Sequence, residues 1–253
     1  MDACRPDLAA DEVHIWLAQC PAITAADVMA RYREIMNEEE VARQARFRFE
    51  RDRHRDLVAR ALVRTTLSHY ADLAPEQWRF SKGEHGKPSI VEPPLPLRFN
   101  LSHSHDLVAC AVALHHDVGV DIECSGRHND VLAIARRYFS ATESAELFAL
   151  PPEQQRDRFF DYWTLKEAYI KARGEGISLG LGNFSFHLPP AAPIGISFAP
   201  ALQDTPGDWQ FRLFKPLADY RMALAWRQSN APMKVRLFSV VPLDLPGEWS
   251  DRA

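Results

Sequence analysis

The sequence predicts an α+β protein built as two similar lobes. Three features carry that expectation. Each half holds one long amphipathic helical stretch, Glu38 to Tyr70 in the first and Arg156 to Arg173 in the second. Each half also holds short runs in which apolar and polar residues alternate with the period of a strand. And 253 residues suffice for one large domain or two of ordinary size. We place a first lobe at 1–116, a second at 117–243 and a loose tail at 244–253.

Taken in order, Glu12 to Leu17 reads as a strand, with Val13, Ile15 and Leu17 on one face. Thr24 to Met36 and Glu38 to Tyr70 read as helices. Asn37 is a suitable cap for the second, because Glu40 lies three residues later. Pro75 ends that region, and Trp78 to Ser81 is short and strand-like. Pro93, Pro94 and Pro96 mark an exposed connection. Leu97 to Leu101 and Leu107 to Leu114 follow as strands around a turn-like Ser102–Asp106. Val118 to Glu123 is a strand leading to a loop at Ser125-Gly126. Helices are expected at Asp130 to Tyr138, Ala141 to Leu150 and Arg156 to Arg173, the last stopped by Gly174 and Gly176. Strands near Phe184–Leu188, Ile194–Phe198, Gln210–Phe214, Arg221–Trp226 and Val235–Val240 complete the chain.

Composition narrows the function. Hydrophobic content of 46% and charged content of 25% are those of a soluble globular protein. A net charge of -4 gives no global basic field for nucleic acid. Cys4, Cys20, Cys110 and Cys124 form no CxxC, which disfavours a thiolate zinc site; we read them as reduced thiols of a cytoplasmic protein. The acidic, polar N-terminus does not look like a signal peptide. The longest apolar run, Leu107 to Leu114, is too short to span a bilayer.

The chemistry concentrates in two places. Along the Val118–Glu123 strand, Asp121 and Glu123 share one face and Val120 and Ile122 the other. Along the Arg156–Arg173 helix, Trp163, Glu167 and Lys171 form one stripe. Taken alone, each has an ordinary explanation: an exposed acid-x-acid strand face, and a solvated Glu–Lys helix pair. Together, three carboxylates could hold a divalent ion, with oxygen-only ligands favouring magnesium or manganese. A nearby lysine could then meet an anion. Gly86-Lys87-Pro88 sits in a turn-rich stretch from Lys82 without P-loop spacing. It reads either as a basic loop or as a close backbone approach to a nucleotide. Asn100 to His105 offers amide, hydroxyl and imidazole donors, better suited to phosphate than to metal. Eight arginines between Arg43 and Arg64 are mostly a solvated helix face, with one or two available to a terminal phosphate.

The order of these pieces resembles the 4'-phosphopantetheinyl transferase superfamily. The order runs Gly86-Lys87-Pro88, Phe99-Asn100-Leu101-Ser102-His103-Ser104, Gly119-Val120-Asp121-Ile122-Glu123, Phe139-Ser140-x-x-Glu143, then Trp163-x-x-Lys166-Glu167-Ala168-x-x-Lys171. Length and the N-terminal lobe look like its surfactin type, over about Glu38 to Leu188. The resemblance implies a pseudo-dimer of two α+β lobes with the active site in the cleft between them. It implies transfer of phosphopantetheine from coenzyme A to a serine of an acyl or peptidyl carrier protein. Asp121, Glu123 and Glu167 would bind Mg2+, or Mn2+. Lys171 would contact the pyrophosphate. Coenzyme A would further meet Arg43, Lys82, Lys87, Pro88, Asn100, Ser102 and His103. A family lysine position falls on Glu40, so Arg46 or Arg55 is the expected substitute. Glu167 is the favoured base, with a water near Glu123 as rival. For carrier docking we nominate Ile134, Arg136, Arg137, Tyr138 and Phe139, against a core reading of the three apolar ones. We expect a monomer that binds neither nucleic acid nor membrane. The rival functions are a metal-dependent nuclease or phosphoesterase, and a non-catalytic coenzyme A-binding protein.

Overall fold

A computed structural model describes residues 7–126, 130–227, 231–244 and 247–248. In chain order the first elements are β1 (Glu12–Gln19), α1 (Ala26–Glu34), α2 (Glu38–Gln44), α3 (Glu50–Ser68), β2 (Phe80–Lys82), β3 (Pro88–Ile90), β4 (Leu97–Ser104) and β5 (Leu107–Leu114). Then come β6 (Val118–Cys124), α4 (Val131–Tyr138), α5 (Ala141–Ala149), α6 (Pro152–Arg173), β7 (Phe184–His187), β8 (Gly195–Phe198), β9 (Trp209–Phe214) and β10 (Tyr220–Arg227). The chain finishes with β11 (Lys234–Ser239) and β12 (Gly247–Glu248). The architecture is α+β with two compact units.

The first unit is a sheet in the order β12-β11-β1-β5-β4, packed on α3. Leu57, Leu62 and Val63 of the helix share a buried core with Trp16, Val108, Cys110 and Val112. β11 runs parallel to β1, with Ile15 opposite Leu237. A division at 116/117 would leave β11 in the second lobe, but its ladder returns it to the first unit. β12 pairs with β11 through Phe238 and Glu248. Part of the expected loose tail is therefore strand; its residues 245–246 and 249–253 lie outside the described residues.

The long helix expected over Glu38 to Tyr70 is two helices. Asn37 and Glu40 form the anticipated capping box at the start of α2. The chain then turns at residues 45–49, where Phe49 is extended and Arg53 Nη1 donates to the Phe47 carbonyl at 2.7 Å. The reason is tertiary. Arg64 is buried and its Nη2 donates to Glu40 at 2.7 Å. In one straight helix, 24 residues would separate these groups by roughly 36 Å, so the pair forms only if the helix breaks. The turn expected at Ser102–Asp106 is also shorter. Ser102 pairs opposite Ala109 and Ser104 opposite Leu107, which leaves His105 and Asp106 at the bend, with His105 at φ 50°.

The second unit is an antiparallel sheet, β6-β10-β9, covered by α6. Phe159, Tyr162, Leu165, Ala168, Tyr169 and Ala172 of α6 are buried with Ala223 and Ala225 of β10. Pro152 opens α6, and Gly174 closes it in the left-handed region at φ 74°, its amide donating to the Ile170 carbonyl. Ser140 and Glu143 form a capping box on α5. The tip of the β2–β3 hairpin, Lys82–Lys87, groups with this unit. Among the described residues, no helix is long and apolar enough to cross a membrane.

Candidate active site

Gly119 decides how close α6 lies to β6. A Cβ there would come within 2.5 Å of the Ala172 amide nitrogen and closer still to the Ala168 carbonyl oxygen. Residues two and four along a strand share its face, so Asp121 and Glu123 stand on the side that Gly119 turns toward α6. The register continues this small-residue surface, with Ala225 opposite Gly119 and Ala223 opposite Asp121. Val118, Val120 and Ile122 face the other way and are buried.

The helix supplies the complementary groups. Lys171 Nζ lies 2.6 Å from Asp121 Oδ1 and 3.3 Å from the Val120 carbonyl. The Glu167 carboxyl is pushed up to about 7. Burial is the main cause; the charges of Asp121 and Glu123 add to it and Lys171 opposes it. The four residues thus share one electrostatic neighbourhood.

Lys166 and Glu167 are adjacent in sequence but about 100° apart on the helix, and they do different things. Lys166 is fully buried, and its ammonium donates to Glu143 Oε2, the Leu181 carbonyl and the Phe184 carbonyl, each at 2.7 Å. That uses all three of its protons. Burial lowers its pKa to about 8, while Glu143 opposes the shift. Glu143 also accepts from the Ser140 amide at 3.1 Å and the Phe186 amide at 2.8 Å. This closed network ties α6 to α5 and β7, and so fixes the turn that carries Glu167.

The remaining nominated residues are placed as follows. Lys87 Nζ donates to the Ala172 carbonyl at 2.6 Å and lies 3.9 Å from Asp117; Lys82 is exposed and Pro88 half-buried. Asn100 and Ser102 are buried on one face of β4, whereas His103 is exposed on the other. Arg43 is 3.9 Å from Asp56, which also pairs with Arg60 at 3.5 Å. Arg55 pairs with Asp52 at 2.8 Å. Glu40, at the expected lysine position, is the buried partner of Arg64. On α4, Arg136, Arg137 and Tyr138 are exposed and Ile134 is half-buried. Phe139 is only 7% exposed and stacks on Phe159 at 5.2 Å, so it belongs to the core and offers no docking surface.

Sequence reasoning overlooked Gly119 as a spacer, although a glycine inside an apolar strand signals a close approach. It also gave no role to Glu143, Lys166 or Arg221. Arg221 stands opposite Glu123 in the β6–β10 ladder and pairs with Asp157 and Asp161 of α6.

A family model for the 4'-phosphopantetheinyl transferase superfamily matches residues 117–225, and a model for the N-terminal part of 4'-phosphopantetheinyl transferases matches residues 24–115. The chain is 36% identical to the 4'-phosphopantetheinyl transferase HetI of Nostoc sp. over 196 residues, 77% of this chain and 81% of that protein. It is 33% identical to the 4'-phosphopantetheinyl transferase Sfp of Bacillus subtilis over 210 residues, 83% of this chain and 90% of that protein. The chain belongs to the 4'-phosphopantetheinyl transferase superfamily. It is an enzyme of that class.

As a transferase of this class it presents, in Asp121, Glu123 and Glu167, an oxygen-only donor set of the kind hard divalent cations take. Burial first, and then the charges of Asp121 and Glu123, disfavour the ionised form of Glu167, and a cation bound among the three would favour it. Their chemistry therefore fits magnesium or manganese. Among the described residues, no His, Cys, Asp and Glu side chains are gathered in threes at metal-holding spacing.

Proposed function

We propose that the chain transfers 4'-phosphopantetheine from coenzyme A to a serine of an apo acyl or peptidyl carrier protein, releasing adenosine 3',5'-bisphosphate. The observation that carries this reading is the closeness of β6 and α6 at Gly119, which sets Asp121 and Glu123 toward the helix that bears Glu167 and Lys171. Magnesium held by Asp121, Glu123 and Glu167 would neutralise charge on the pyrophosphate. The serine oxygen forms a bond to the β-phosphorus as the bond from that phosphorus to the bridging oxygen breaks, and the leaving group departs with that oxygen. Glu167 takes the serine proton as general base. Lys171 adds positive charge where negative charge accumulates.

For coenzyme A we carry forward Arg43, Lys82, Lys87, Pro88, Asn100, Ser102 and His103. For the carrier we retain Ile134, Arg136, Arg137 and Tyr138, a cationic and apolar surface suited to an acidic partner. Charge reversal at Arg136 and Arg137 should raise the carrier KM and leave the coenzyme A KM unchanged; an unchanged carrier KM removes this surface from the account.

The test is to incubate the protein with an apo carrier protein, coenzyme A and magnesium. Intact mass should show the phosphopantetheine adduct, and chromatography an equal amount of adenosine 3',5'-bisphosphate. No adduct across fatty-acid, polyketide and peptide carriers overturns the proposal.

A further inference from the structure

The arginine-rich stretch is only partly absorbed by the transfer site. Arg43, Arg55, Arg60 and Arg64 face carboxylates within the first unit. Arg51 and Arg53 do not. With Arg33 of α1 and His54 they line a groove of about 640 Å³ between α1, the end of α2 and the first turns of α3. Thr24, Ala26, Met29, Gln44, Glu50 and Leu57 complete the lining. None of the coenzyme A residues proposed above lines it.

Charge and shape both select a ligand. Three guanidinium groups face one carboxylate, Glu50, in a protein whose net charge is -4. Arg33 and Arg51 are exposed and make no ion pair with any described residue. Arg53 is fixed by its 2.7 Å bond to the Phe47 carbonyl, and His54 Nε2 donates to the Ile23 carbonyl at 2.8 Å, leaving its other ring nitrogen available. Planar guanidinium forks match phosphate oxygens. Ala26, Met29 and Leu57 give the groove an apolar side, and its volume is within the range of small-molecule sites, roughly 300–1,000 Å³. An inorganic anion would leave that apolar side unused.

We propose that this groove binds a small organic phosphate of nucleotide size, its phosphate on Arg33 and Arg51 and its body against Ala26 and Met29. The probe is adenosine monophosphate, with adenosine as control, titrated into the full chain while the His54 imidazole and Met29 methyl resonances are followed by NMR. Saturable shifts at both residues are expected with a dissociation constant of about 1 mM or tighter, a modest affinity for a few charge-assisted contacts. Adenosine should be weaker by at least about tenfold, as should adenosine monophosphate in an Arg33→Glu/Arg51→Glu double variant. Transfer activity and thermal midpoint of that variant should match the parent, because both side chains are exposed and make no ion pair with a described residue, Arg51 lying only over the exposed Phe49 ring. No saturable shift, equal binding of adenosine, or undiminished binding in the double variant overturns the proposal.

Discussion

Gly119→Ala tests the geometry on which the site depends. Its new Cβ would lie 2.5 Å from the Ala172 amide nitrogen and 3.0 Å from the Ala172 Cβ, where ordinary contacts begin at 3.4 Å. The nearest obstacles are helix backbone, so no rotamer change relieves them. Either α6 retreats from β6 by about 1 Å or the strand buckles, and overpacking of this kind costs about 1–3 kcal/mol. For a chain of this length that is a fall in Tm of roughly 3–10 °C. The larger effect should be on rate. Glu167 is one residue before Ala168, and Lys171 one before Ala172, so the retreat moves them away from Asp121 and Glu123. Misplacement by about 1 Å can cost on the order of 100-fold in turnover. The assay is single-turnover modification of an apo carrier at saturating coenzyme A, beside thermal unfolding. A variant that keeps the parental rate and Tm would refute the close-approach reasoning.

Three further outcomes follow from the same structure. Glu167→Gln should stabilise the metal-free protein. In the fold this carboxyl titrates near 7 against 4.5 when unperturbed, so the parent loses stability as pH rises from 4.5 through 7. The variant's advantage should be about 2–3 kcal/mol at pH 8 and vanish below about pH 4.5; an equal advantage at both ends contradicts the raised pKa. Lys166→Met should cost about 3–5 kcal/mol in urea unfolding by stranding buried Glu143, and Lys166→Met/Glu143→Leu should recover part of it. Equal losses in the two would show that the ion pair is not the cause. Glu40→Lys should destabilise by at least about 3 kcal/mol because it sets a second cation against buried Arg64. A neutral effect on Tm would show that the carbonyls of Pro75 and Trp78, to which Arg64 Nη1 also donates, hold it without Glu40.

The parts of the fold set by local period were legible in the sequence. Val118–Glu123 alternates cleanly and Arg156–Arg173 keeps its stripe between Pro152 and Gly174, so β6 and α6 were expected within a few residues of their observed ends. What escaped is set by residues far apart in the chain. No local pattern distinguishes one helix over Glu38–Tyr70 from two, because the break serves a contact between Glu40 and Arg64. β11 gives no sign in its own residues that it pairs with β1. In the site, Lys166 and Glu167 look alike as adjacent charges, and only packing shows one sealed in a closed network and the other beside Asp121. Phe139 was ambiguous for a related reason: an aromatic at helical spacing suits a core or an interface, and its stacking on Phe159 settles it as core.

The most direct test of the account is an intact-mass time course on an apo carrier protein with coenzyme A and magnesium, comparing the parent with Asp121→Asn and Lys171→Ala. Folding of each variant is verified by thermal unfolding. The account predicts full conversion of the carrier by the parent and rates lower by at least about 100-fold in both variants, as expected when groups that stabilise developing charge are removed. Parental rates in the folded variants would contradict it by placing the chemistry away from β6 and α6.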